Sequence, residues 1–203
     1  MSTSYVVTAS GAELDLRYPD TRHILLADIA HHLAQINRFT GACRRPYSVA
    51  EHSLLVAEIV ERMLPADVHG LLAALMHDAH EAYTNDLSTP AKDEVAGWHL
   101  FEGRLQRCVL SAFALHGATH NHAAVIRQAD LLALATERAQ LLPTVASSSL
   151  WPCLVHVQPV QWVDLMSSER LAMRWSDWRD AFEARANELD YARNEHLYGV
   201  TQP

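Results

Sequence analysis

Apolar and polar residues change rhythm early in this chain. Between Ser4 and Leu16, in SYVVTASGAELDL, they alternate on either side of Ser10 and Gly11. A period of two around such a pair predicts a short β-hairpin, the only good strand signal in the sequence. Past Pro19 the spacing becomes helical. Ile29, Leu33 and Ile36 recur on one face of IAHHLAQINRF, with Asp28 as the expected N-cap. Gly41 and Pro46 break the next stretch, TGACRRPY, into a loop. Ser48 then opens SVAE, which has the form of a capping box with Glu51 at N3, ahead of a helix through EHSLLVAEIVERML that Pro65 closes.

A third helix is expected from Asp67 through VHGLLAALMHDAHEAY, followed by a loop over NDLSTPAKDEVAG. Two more follow, around WHLFEGRLQRCVLSAFAL and over HAAVIRQADLLALATERAQLL. With three prolines, PTVASSSLWPCLVHVQPVQW reads as a connection before a last helix, SSERLAMRWSDWRDAFEARANELDYAR, capped by Ser167 or Ser168. Nothing repeats and no low-complexity linker divides the chain. The expected fold is therefore all-α, a helical bundle with a short N-terminal β-hairpin, built as one domain over residues 1–203.

Composition narrows the function classes. At 203 residues and 49% hydrophobic, the chain can bury a full core without help from a metal or disulfide. A net charge of -8 argues against a nucleic-acid partner, which would call for a surplus of Lys and Arg on the binding face. Cys43, Cys108 and Cys153 are far apart and form no CxxC pair, so they are expected to be small buried hydrophobes in a reducing compartment. The first residues lack the basic start and apolar run of a signal peptide, and no run of about 18 apolar residues occurs. The expectation is a cytoplasmic protein with no membrane partner.

Candidate chemistry gathers in LMHDAHEAYTNDL, where His77, Asp78, His80, Glu81 and Asp86 crowd a helix end that follows an apolar run. A divalent metal at a hydrolytic site needs neutral imidazoles and carboxylates converging from several rigid elements. His52 at one helix start, His77 and Asp78 at another helix end, and Asp130 inside the apolar VIRQADLLALA fit that need. Neighbouring side chains on a helix point about 100° apart, so His77 and Asp78 can clasp an ion between them. Taken singly each is weak. A histidine among 13 is more often an ordinary partly exposed one, and an interior Asp is as often paired with an Arg.

Their combination, a lone His, then His-Asp, then a distant Asp on helices, resembles the HD-domain superfamily of metal-dependent phosphohydrolases. The closest likeness is to its 5′-deoxynucleotidases and phage deoxynucleoside triphosphate triphosphohydrolases. It is carried by INRF at 36–39, SVAEHS at 48–53, HDAHEAYTNDLSTPAK at 77–92 and QAD at 128–130, and covers roughly residues 28–142.

The resemblance implies one divalent transition metal ion (Mn, Co, Fe, Ni or Zn) on His52, His77, Asp78 and Asp130. It implies Glu81 as general acid or base, Arg38 and Arg45 on phosphate, Asp86 on the sugar 3′-hydroxyl, and Phe39, where the nucleotidases tend to have Trp, on the base. A nucleotide is the implied substrate, cleaved at the α-phosphate to nucleoside plus phosphate or triphosphate, by a homo-oligomer. The same ligands would also serve a hydrolase of another phosphate ester, such as an alarmone or cyclic dinucleotide, or a helical binding module stapled by its metal.

Some features lie outside this reading. Arg44, in the same loop as Arg45, reads with it either as a holder of further phosphates or as half of a solvated basic pair, and His80 reads as a surface or outer residue of the site. His116, His120 and His122 are expected to be exposed, and Trp175 and Trp178, three apart, to form core or a subunit contact.

Overall fold

The structure, a computed structural model, describes residues 4–144 and 151–198. Strands β1 (Tyr5–Val7) and β2 (Glu13–Asp15) pair antiparallel, with Val6 opposite Leu14. Gly11 supplies the left-handed turn residue at φ 82°. Leu14 is fully buried, while Tyr5 and Val7 point outward.

Helix α1 (Leu26–Gln35) starts earlier than expected, with Leu25 at its N-cap and no side-chain cap there. Asp28 lies in the first turn and instead accepts from the Ser10 amide (2.7 Å) and hydroxyl (2.8 Å), fastening the hairpin to the helix. The helix also ends before INRF. Asn37 bridges Ser48, the Val49 amide donates to Ile36 O and the Arg38 amide to Tyr47 O, so extended pairing replaces the helical ladder. Phe39 and Thr40 then take left-handed φ values of 54° and 53°.

Helix α2 (Val49–Met63) is capped as expected, the Ser48 hydroxyl accepting from the Glu51 amide at 3.2 Å. The Glu51 carboxylate does not close the box; it turns to two arginines described below. Helix α3 (Val68–Leu75) is capped by Asp67 and stops at Leu75, and α4 (Glu81–Thr84) is a separate short turn. One continuous helix to Tyr83 was the expectation. The break arises because the His77 ring bonds the Ala74 carbonyl (2.8 Å), drawing the chain out of helical register.

Helix α5 (Thr89–Glu94) forms within the expected loop, its Pro90 suited to a first helical turn. Helices α6 (Trp98–Ala112) and α7 (His116–Gln140) follow, α7 beginning at His116 rather than His122. His116 and His120 are exposed, whereas His122 is half-buried with its Nε2 2.9 Å from Asp67 Oδ2. Residues 145–150 of the expected connection lie outside the described residues; Pro152–Leu154 form a short 3-10 turn. The expected last helix divides into α8 (Ser168–Ala172) and α9 (Trp175–Tyr198), since Met173 is extended.

All-α with a short N-terminal hairpin describes the result. Helix α2 packs against α3, α7, α9 and α1; α3 packs against α7 and α9; α4 joins α1 to α6. Small residues, among them Ala50, Ala57, Ala74, Ala129 and Ala133, let these helices close on one apolar cluster that includes Leu33, Val56, Leu75 and Phe182. Trp178 belongs to that core and Trp175 is exposed. Of the free cysteines Cys108 is buried and Cys43 half-buried, but Cys153 is exposed, contrary to the expectation for all three. Among the described residues no helix is long and apolar enough to cross a membrane.

Candidate metal centre

Two helices and the turn after Leu75 bring four donors together. His52 stands in the first turn of α2, His77 and Asp78 in the turn between α3 and α4, and Asp130 midway along α7. His52 Nε2 lies 3.5 Å from Asp78 Oδ2 and 3.3 Å from Asp130 Oδ1, and His77 Nε2 lies 3.1 Å from Asp78 Oδ2. Ligand atoms of His52, His77 and Asp130 all fall within 4.8 Å of one another, a spacing that can hold a metal ion.

Both imidazoles are set for this by their other nitrogen. His77 Nδ1 donates to the Ala74 carbonyl, and His52 Nδ1 lies 2.6 Å from Glu137 Oε1. In its neutral form each ring then has its lone pair on Nε2, and both Nε2 atoms are buried without a hydrogen-bond partner. Orphaned, converging imidazole nitrogens flanked by two carboxylates fit a cation such as zinc or another borderline divalent metal.

Charge supports that fit. Burial works against ionising Asp78 and Asp130, yet the two histidines outweigh it and hold both carboxyls below the ordinary carboxylate range, Asp78 well below. Burial and Arg38 oppose a positive His52, but Glu137, Asp130 and Asp78 prevail and raise it well above its usual value. The cluster thus attracts positive charge at the place where the Nε2 atoms converge.

Glu137 was not singled out by sequence reasoning. It is fully buried on α7, accepts from the Tyr47 hydroxyl at 2.9 Å and faces Arg38 Nη2 at 3.3 Å. Despite burial, Arg38 and His52 hold its carboxyl down at about 2. A usable signal existed: it follows Asp130 by two turns in the same apolar run.

Arg38 lies over this rim, its Nη1 3.8 Å from Asp78 and 3.9 Å from Asp86, with Nε buried and unpartnered. Its guanidinium sits 5.3 Å from the centre of the Phe39 ring, which faces Trp151 at 6.2 Å. Asp86 is mostly buried, and burial raises its carboxyl above the usual range. Glu81 is buried with Oε2 unpartnered. Burial first, then Asp78 and Asp86, push its carboxyl well above ordinary values in spite of Arg38 and Lys92. Lys92 Nζ stands 3.6 Å from Glu81 and 2.5 Å from Glu102, which lies 3.5 Å from His80. His80 is thus buried in this adjoining network rather than on the surface.

Arg45 goes elsewhere. It grips Glu51 through two bonds of 2.7 and 2.6 Å and the Leu165 carbonyl through two more, and Arg170 shares Glu51 at 2.8 Å. Arg45, expected on phosphate, has its donors on Glu51, Leu165 and Pro46 in this structure.

No known family model matches the chain. Over 151 residues it is 31% identical to the uncharacterized protein YfdR of Escherichia coli (strain K12), a match spanning 74% of this chain and 79% of that one. It is also 42% identical over 110 residues to the uncharacterized protein RCAP_rcc00048 of Rhodobacter capsulatus, covering 52% and 56% of the two chains.

Proposed function

We propose, from the premise that the chain belongs to the family of YfdR of Escherichia coli, that it is a metal-dependent phosphohydrolase of the HD-domain type acting on 2′-deoxynucleoside 5′-phosphates. The observation that carries this reading is the convergence of the orphaned Nε2 atoms of His52 and His77 on Asp78 and Asp130, each ring locked through Nδ1. His52, His77, Asp78 and Asp130 would hold one divalent transition metal ion, which when bound would supply Lewis acidity toward water and a phosphoryl oxygen.

The chain's own residues do the rest. Arg38 donates to Glu137 through Nη2, and its Nη1 sits too far from Asp78 and Asp86 for hydrogen bonds, leaving that nitrogen for a phosphate oxygen. Asp86, beside it, accepts from a sugar hydroxyl. Phe39, with Trp151 close by, forms an aromatic wall for the base. Burial, Asp78 and Asp86 push the Glu81 carboxyl well above ordinary values, which suits it to give a proton to the departing 5′-oxygen. The products are nucleoside plus triphosphate or phosphate. A cytoplasmic setting accords with three unpaired thiols, and the exposed Leu171 and Trp175 offer a face for a homo-oligomer.

The test is product analysis after incubating metal-loaded protein with each deoxynucleoside mono- and triphosphate, with Asp78→Ala as control. Nucleoside plus triphosphate supports a triphosphohydrolase, and nucleoside plus phosphate from monophosphates alone supports a nucleotidase. No turnover across the panel while metal stays bound sinks the hydrolase reading and leaves a metal-stapled binding module.

A further inference from the structure

A second feature of the molecule has no part in that chemistry. Most of the 16 lysines and arginines of this acidic chain are ion-paired, as in Arg22–Asp20, Arg62–Glu58 and Arg185–Glu61. Arg17, Arg104 and Arg107 have no ion-pair partner among the described residues, and all three line one groove of about 910 Å3 between the 17–21 segment and α6. No carboxylate lines it. The nearest acids on that segment are engaged: Asp15 accepts from the Arg17 and Tyr18 amides, and Asp20 is bridged by Arg22 at 2.7 Å.

The groove is built rather than incidental. Arg104 is pinned by its bond to the Leu16 carbonyl at 3.2 Å, which fixes one guanidinium against the segment that carries Arg17. Arg104, Arg107 and Ser111 share one stripe of α6. Glu102, two residues before Arg104, projects to the opposite side, where it meets Lys92 and His80 beside the metal centre. The groove and the centre therefore lie on opposite faces of one helix. Tyr18 lines the groove and is 77% exposed, an aromatic face left uncovered next to three guanidinia, with Thr21 adding a hydroxyl, while the Ser111 hydroxyl is engaged with His116 Nε2 at 2.9 Å.

We propose that this groove is a second anion site, for a nucleoside di- or triphosphate, with Arg17, Arg104 and Arg107 on the phosphates and the Tyr18 ring against the base. Several unpaired guanidinia in an acidic chain suit a multiply charged ligand, and the volume lies within the range of small-molecule pockets. This inference goes beyond the hydrolytic reading and does not depend on it.

It is tested by calorimetric titration of chelator-treated Asp78→Ala protein with ATP and, separately, with inorganic tripolyphosphate, so that neither metal nor turnover contributes. Both ligands are expected to bind at one site. The double variant Arg17→Gln/Arg107→Gln, altered only at side chains without ion-pair partners, should weaken both at least tenfold. Tyr18→Ala should weaken ATP and leave tripolyphosphate unchanged. Binding that survives the double variant but is lost in Arg38→Gln would place the anion at the metal centre and overturn the proposal. So would no binding of either ligand at millimolar concentration, or binding of a short single-stranded oligonucleotide more tightly than ATP.

Discussion

His52 and Glu137, 85 positions apart, meet at 2.6 Å with both side chains fully buried, Nδ1–H donating to the carboxylate. That one bond orients the imidazole so that Nε2 faces Asp78 and Asp130. Glu137→Gln keeps an acceptor but removes the charge, and metal affinity is expected to fall about 10–100-fold. Calorimetric titration with Zn or Mn measures it; an affinity equal to wild type would leave Glu137 with a packing role alone.

Glu81→Gln should separate activity from stability. The carboxyl is raised by burial and by Asp78 and Asp86, so folding favours its protonated form. Its contribution to stability is complete below the unfolded value and is lost as pH rises through the folded one. Glutamine cannot ionise, so the variant should melt above wild type at pH 8 and level with it near pH 4. The proposed turnover should drop about 10²–10⁴-fold with metal retained. Melting curves at the two pH values, with metal content and kcat, decide the matter.

Glu102 behaves oppositely. Burial would raise it, but His80 and Lys92 outweigh that and hold it at about 2, against an ordinary 4.5. The stability it adds is full above pH 4.5 and is lost as pH falls toward 2. Such a shift is worth ~3 kcal/mol unscreened, reduced to ~1–2 by partial solvent access. Denaturant melts of Glu102→Gln should show that much less acid sensitivity across this window.

Glu51 holds Arg45 and Arg170 together in a largely buried place. Glu51→Ala leaves two guanidinia facing each other and should cost about 3–5 kcal/mol, although the residue touches no metal donor. Chemical denaturation reads the loss. Adding Arg170→Met should restore part of it by removing one of the unpaired charges, whereas an unchanged midpoint in Glu51→Ala would deny the triad any structural weight.

Several elements were legible in the chain because their causes are local. Alternation around Ser10-Gly11 gave the hairpin, and Ser48 with Glu51 three residues on marked the start of α2. The residues brought together at the centre were legible as types, an Asp130 set in an apolar helix and an adjacent His-Asp at a helix end. The stop at Leu75 was not, because it depends on a ring-to-carbonyl bond that periodicity does not encode. The end of α1 at Gln35 was hidden for a similar reason: its replacement is backbone pairing with residues 47–49, a contact across the loop.

The sequence by itself determined that this is a helical protein with a hairpin at its start, and which imidazoles and carboxylates were available for a metal. Only the tertiary structure decided which acid serves which partner. Glu51 and Glu137 both lie on helices rich in apolar residues, yet one became the anchor of two arginines and the other the support of His52. The reason is physical. Helix and turn preferences are set within a few residues, whereas the fate of a buried charge depends on what packing brings to it from far along the chain, since a charge removed from water must find its counterpart there.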